Sequence, residues 1–254
     1  MLCVGIVGAA SAEEAGGFDG VESAYGDYLT QILRRWVPPR SSAHPASLEI
    51  ACIATPRADG YVGMLQRMTI EASPAVVAGV LDDIDHFKDL FPDTVDVRIV
   101  AGTRLGPRYV SAWIQRAPIF FMPDIAYELS HLVDKTMPGR LIYRYKLLRG
   151  DKLIASDGLV VLDSLGPATT LFTEYDFFNG HWGPIPKSVV WRESLRGAFH
   201  SDVAIKLRAE HADWTYADIA KESKRLTSAQ SAQLAQCYEH RKPAFSIGES
   251  AHTK

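Results

Sequence analysis

Apolar positions along the chain change period several times, and the changes mark out the elements. Residues 63–72 alternate apolar with polar and predict a strand. Ser73-Pro74 then opens a helix, with Ser73 as N-cap, Pro74 in the first turn, and Val76, Val77, Val80 and Leu81 on its apolar side. A short second helix over 85–90 ends at Phe91-Pro92. Period two returns over 94–101, where Val95, Val97 and Ile99 alternate with Asp96 and Arg98. Further extended runs cover 108–121, 124–133, 140–148, 153–162 and 169–178. Gly106-Pro107, Pro123, Pro138-Gly139, Gly150-Asp151 and Gly166-Pro167 separate them, and such short breaks favour antiparallel neighbours. Residues 186–208 shift to the helical period: Trp191, Leu195, Phe199, Val203 and Leu207 fall at successive i+4 steps, with Arg192, Glu193, Arg196 and Lys206 largely off that stripe. A helix of that length spans roughly 35 Å and needs a long apolar surface beneath it. The order predicts a curved antiparallel sheet wrapped around a long C-terminal helix.

The flanks differ from this central block. Residues 1–12, MLCVGIVGAASA, are apolar and then small, like the core and the Ala-x-Ala cleavage site of a secretory signal, here Ala10-Ser11-Ala12. The basic region of such a signal is missing. Either the true start lies upstream or this is a short apolar segment of no targeting value. The first case predicts a periplasmic or secreted protein, the second a cytoplasmic one. Residues 13–62 form an N-terminal extension, with a helix over 21–36 ended by Pro38-Pro39 and an irregular stretch rich in Pro, Ser and Ala. The amphipathic piece 25–36 could make transient contact with a membrane, although few basic residues support that. The central domain covers 63–211. A tail over 212–254 predicts two short polar helices, 216–224 and 228–240, and a mobile end from Pro243.

Composition narrows the field only slightly. The chain has 254 residues, 47% hydrophobic and 22% charged, with net charge −3. These are globular values, and they give no electrostatic reason to expect nucleic acid. Beyond the first dozen residues the cysteines are Cys52 and Cys237, which could pair in an oxidising compartment or remain two buried thiols.

The stretch MTIEASPAVVAGVLDDIDHFKDLFP at 68–92, followed by the strand run and the long helix, resembles the opening of the START-related superfamily, the helix-grip fold of polyketide cyclases and lipid-transfer domains. The resemblance spans roughly 63–210. It implies an α+β helix-grip fold, with a curved antiparallel sheet of about seven strands around the long helix, and leaves the helical extensions at both ends outside it. It also implies an apolar cavity between sheet and helix, in proteins that mostly bind or carry and less often catalyse.

Candidate residues follow from the faces. Tyr109, Trp113, Tyr127, Tyr143, Tyr145, Tyr175 and Phe177 could line one surface, with Tyr143 and Tyr145 favoured because they share a face with Leu141 and Leu147. Trp191, Leu195 and Phe199 should face the sheet from the helix. His131 follows Tyr127 and Leu129 in alternation and points inward, as a ligand partner, a general base or a satisfied core histidine. The ligand-binding set is therefore Trp113, Tyr127, His131, Tyr143, Tyr145, Trp191, Leu195 and Phe199. Arg144, Glu174 and Asp176 alternate with the apolar set and read as solvated. The acidic run Asp82-Asp83-Ile84-Asp85-His86 reads as a helix junction rather than a cation site. The loop 179–184 before the long helix has flanking glycines and could move to admit a ligand.

No Gly-x-Ser-x-Gly elbow, phosphate loop, dinucleotide fingerprint or zinc pattern occurs, so no cofactor and no metal is expected. The first reading is binding or transport of a hydrophobic small molecule of lipid, sterol or isoprenoid class. The alternatives are a cyclase, aromatase or dehydratase acting on a polyketide-like substrate, and a non-catalytic interaction module.

Overall fold

Eight strands form one antiparallel sheet in the order β1-β2-β8-β7-β6-β5-β4-β3. The computed structural model describes residues 50–54, 62–117 and 122–229. The signal-like segment 1–12, the helix expected over 21–36, Cys237 and the chain end from Pro243 lie outside them.

The strands are β1 (Ile50–Ala54), β2 (Val62–Ile70), β3 (Thr94–Ile99), β4 (Arg108–Gln115), β5 (Ile125–Asp134), β6 (Arg140–Gly150), β7 (Leu153–Gly166) and β8 (Thr169–Gly180). From β3 to β8 the chain runs as a meander, as its short turns dictate. The long-range step is β2, which leaves its sequence neighbours and pairs with β8, Ile70 opposite Thr170 and Val62 opposite Phe178. β1 lies inside the extension expected to be irregular. It pairs with β2 along its full length, Cys52 opposite Gln66, and raises the sheet from the expected seven strands or so to eight.

Among the described residues four α-helices accompany the sheet: α1 (Pro74–Asp82), α2 (Phe87–Leu90), α3 (Lys187–Glu210) and α4 (Tyr216–Ala229), with a 3-10 turn at Ile84–His86. Ser73 caps α1 as expected, its Oγ accepting from the Val76 N–H at 3.4 Å. The acidic run is the α1–α2 junction: Asp83 accepts from Tyr216 Oη at 2.8 Å and lies 2.7 Å from His86 Nδ1. α3 packs its backbone against α1, α4 and, among the strands, most closely along β2. Its C-terminal end is tied down where Lys206 Nζ donates to the Thr69 carbonyl at 2.8 Å and pairs with Glu210, whose Oε1 accepts from the Glu71 N–H at 2.7 Å. The break expected near residue 226 is absent, because α4 continues to Ala229 and buries Ile219, Ser223 and Thr227.

Both faces of β8 are buried. Phe172 joins the main core on the concave side, while Leu171, Tyr175 and Phe177 are buried on the convex side. The convex-face neighbours of Tyr175 are Leu65 on β2 and Leu159 on β7, also buried. Arg144 shares this convex side, opposite Leu159. It is buried rather than solvated, with its guanidinium 3.5 Å from Asp134.

Candidate functional site

A cavity of about 270 Å³ lies between the concave face of the sheet and α3. It exists because the helix approaches β2 closely and leaves β4–β7 uncovered, and because its cavity side carries small residues. Ser194, Ala198 and Ser201 reach too short a distance to fill the gap, and Gly197 leaves room for the Asp93 carboxylate.

Aromatic residues make the sheet wall. Period-two alternation places Tyr109 and Trp113 of β4, Tyr127 and His131 of β5, and Tyr143 and Tyr145 of β6 on it. Register then pairs them across strands. Trp113 lies opposite Tyr127 with parallel rings 6.1 Å apart, and Tyr109 lies opposite His131 with rings stacked at 4.5 Å. Tyr145 lies opposite Gly158, where a Cβ would meet the tyrosine ring at 2.1 Å. The bare glycine lets this side chain lie across β7 towards β8, its Oη 3.5 Å from the Tyr175 carbonyl.

His131 faces the cavity as expected. Its Nε2 lies 2.6 Å from Ser111 Oγ, which also accepts from Trp113 Nε1 at 2.6 Å. With that acceptor role occupied, the serine hydroxyl proton is free to point at Nε2, which suits a neutral imidazole. Desolvation pushes His131 down to about 3, so it is uncharged at neutral pH. Desolvation also raises the hydroxyls of Tyr109, Tyr127, Tyr143 and Tyr145, which remain neutral donors.

A second part of the lining, reached through Tyr145, is acidic. Glu174 and Asp176 form it from β8 and Asp202 from α3, so the two strand acids face inward and not into solvent. The alternation of β8 was sound, but its faces are inverted: Tyr175 and Phe177, expected to line the cavity, take the buried convex face. Desolvation raises Glu174 to about 7, with the Asp176 charge adding and Asp202 and Gln66 opposing. Desolvation likewise raises Asp176 to about 6, against a hydrogen bond from Tyr145. Asp202 is held well above the usual carboxylate range by desolvation and then by the neighbouring acid charges.

Five of the eight expected ligand-binding residues, Trp113, Tyr127, His131, Tyr143 and Tyr145, line the cavity. The three helix residues do not. Leu195 packs on Met64 of β2, Phe199 is fully buried in the main core, and Trp191 is buried off the cavity wall. An apolar i+4 stripe marks where a helix is packed tightly, whereas a void lies beside the small residues on its flank. Trp182 and Phe178, in edge-to-face contact at 6.1 Å, close the lining near the start of α3 and were not among the expected residues. Trp182 also fills the loop expected to move, whose His181 N–H donates to the Lys152 carbonyl at 2.9 Å. Among the described residues no cluster of His, Cys, Asp or Glu has metal-binding geometry.

No protein-family model matches the chain, and no curated protein matches it in sequence. Solved structures do match. Human STARD10 aligns with a TM-score of 0.51 at 14% identity, over 87% of this chain and 89% of that one. A STAR-related lipid transfer protein fragment from Xanthomonas axonopodis aligns with a TM-score of 0.49 at 15% identity, over 62% of this chain and 98% of that one. The Zhui aromatase/cyclase from Streptomyces sp. R1128 gives 0.47 at 14% identity, over 65% and 94%. With a curved antiparallel sheet, a long C-terminal helix and a cavity between them, this chain has the helix-grip fold of the START-related superfamily.

Proposed function

We propose that this protein binds a hydrophobic small molecule of lipid, sterol or isoprenoid class between its sheet and α3, and carries it. The observation behind this reading is the cavity itself, walled by aromatic rings whose polar tips are neutral. Its volume of about 270 Å³ favours a compact or single-chain ligand over a two-chain one. Burying such a molecule yields about 25 cal/mol for each Å² of apolar surface removed from water, less the cost of ordering it.

Native mass spectrometry of the full-length protein tests this, followed by organic extraction of what it retains. A stoichiometric apolar molecule is the expected result. A protein that is empty as purified and stays empty after incubation with a lipid extract would overturn it.

Catalysis on a hydrophobic substrate is the second reading. It is favoured by one feature: a neutral imidazole and two carboxyls titrating near 6 and 7 line the same apolar enclosure, which suits general acid–base work.

A further inference from the structure

An apolar ligand alone leaves the acidic part of the lining without a role. Glu174, Asp176 and Asp202 converge there from β8 and α3. Asp202 is 1% exposed, and among the described residues no N–H or hydroxyl donor reaches its carboxyl oxygens; its one hydrogen-bonding neighbour is the Glu174 carboxyl, which it reaches when one of the two is protonated. The groups acting on the three acids are one another, Gln66 of β2, Tyr145 of β6 and Asp157 of β7, while Asp176 in turn acts on Tyr127 of β5. No lysine, arginine or histidine is among them. A buried carboxyl without cation or donors is costly. The cavity's one cationic lining residue among the described residues, Arg116, acts on Asp93 beside Glu193 and is not among the groups acting on the three acids, so a positively charged occupant would complete them.

We propose that the cavity takes an apolar molecule bearing a protonated amine, with the ammonium group among Glu174, Asp176 and Asp202 and the hydrocarbon against Trp113, Tyr127 and Tyr143. This rests on the cavity-binding reading above and specifies the head group. An ammonium offers three donors and no acceptor, which suits three carboxyls whose only donors among the described residues are Tyr145 and Gln66. A hydroxyl offers one donor and no charge. A carboxylate adds like charge and is repelled. Because the acids are partly protonated in the empty protein, an ammonium binds as protons leave, and its affinity rises with pH through neutrality.

The test is calorimetric titration of the full-length protein with decylamine, decanol and decanoate at pH 6 and pH 8, in two buffers of different ionisation enthalpy. Decylamine should bind about 10- to 100-fold more tightly than decanol at pH 8, and decanoate weakest of the three. Decylamine affinity should rise up to about tenfold between pH 6 and pH 8, with proton release visible as a buffer-dependent heat, as expected for one carboxyl titrating near 7. Glu174→Gln and Asp202→Asn should each weaken decylamine by about tenfold or more and reduce its preference over decanol to within about threefold, with circular dichroism and thermal melting showing that the variants are folded. If either variant fails to fold, head-group preference and proton release in the unaltered protein decide the matter. Decanol or decanoate binding as tightly as decylamine would overturn the amine and leave the cavity reading standing. Failure of all three to bind would overturn both.

Discussion

Glu174 is a carboxyl that the folded chain prefers to keep protonated, and this has a measurable sign. Its native pKa of about 7 lies above the ordinary 4.5, so between those values the folded state holds more protons than the unfolded one. Stability is therefore lost as pH rises through that window. Glu174→Gln removes the penalty. The variant should melt a few degrees above the unaltered protein at pH 8, with the gap closing towards pH 5. Thermal melts across that range check this, and a gap independent of pH would show that Glu174 is solvated after all. The aromatic half of the site was legible in the sequence because Tyr109, Trp113, Tyr127, Tyr143 and Tyr145 obey strand alternation. The acidic half was not. On a strand with one wet face Glu174 and Asp176 would point to solvent, but β8 is covered on both sides. Asp202 lies in a mid-helix row with Ser194 and Ala198 at i+4 steps, and that run of small residues was the available signal.

At the scale of elements, α3 divides its work between two flanks. Leu195 belongs to the packed flank, so Leu195→Ala should cost about 2–5 kcal/mol with or without ligand. Ser201 belongs to the open flank, its Oγ donating to the Gly197 carbonyl at 3.1 Å beside the void. Ser201→Leu should fill space, hold stability within about 1.5 kcal/mol and abolish binding. Denaturant titrations paired with ligand titrations separate the two, and a Ser201→Leu protein that still binds would misplace the cavity. The helix and its stripe were readable from the i+4 spacing, but which flank borders a void depends on how far the sheet stands off, and no periodicity records that. β7 makes a similar provision for its neighbour. Gly158→Val would drive a side chain into the Tyr145 ring and should cost about 1–3 kcal/mol while weakening ligand binding. Unchanged affinity in a folded Gly158→Val protein would remove Tyr145 from the site.

Across the whole molecule, the meander from β3 to β8 followed from turn residues, whereas β1 did not. Its five residues, Ile50–Ala54, hold three small side chains in a stretch rich in proline and serine, and only pairing with β2 gives them a strand's shape. The tie at the end of α3 also acts at this scale, joining helix, β2 and the start of α1. Lys206→Met would leave the largely buried Glu210 carboxylate without its cation and should cost about 1–3 kcal/mol, with urea unfolding as the measurement. No loss would mean the tie is ornamental.

The β2–β8 pairing has a consequence in time. Ile70 finds its partner in Thr170, 100 positions later. A ribosome adding roughly 5–20 residues each second would finish β2 about 5–20 s before β8 leaves the exit tunnel. Through that interval a nine-residue strand containing Met64, Leu65, Met68 and Ile70 has one edge without its permanent neighbour. During synthesis, the order in which the chain emerges leaves an apolar strand edge of the sheet waiting longest for its cover.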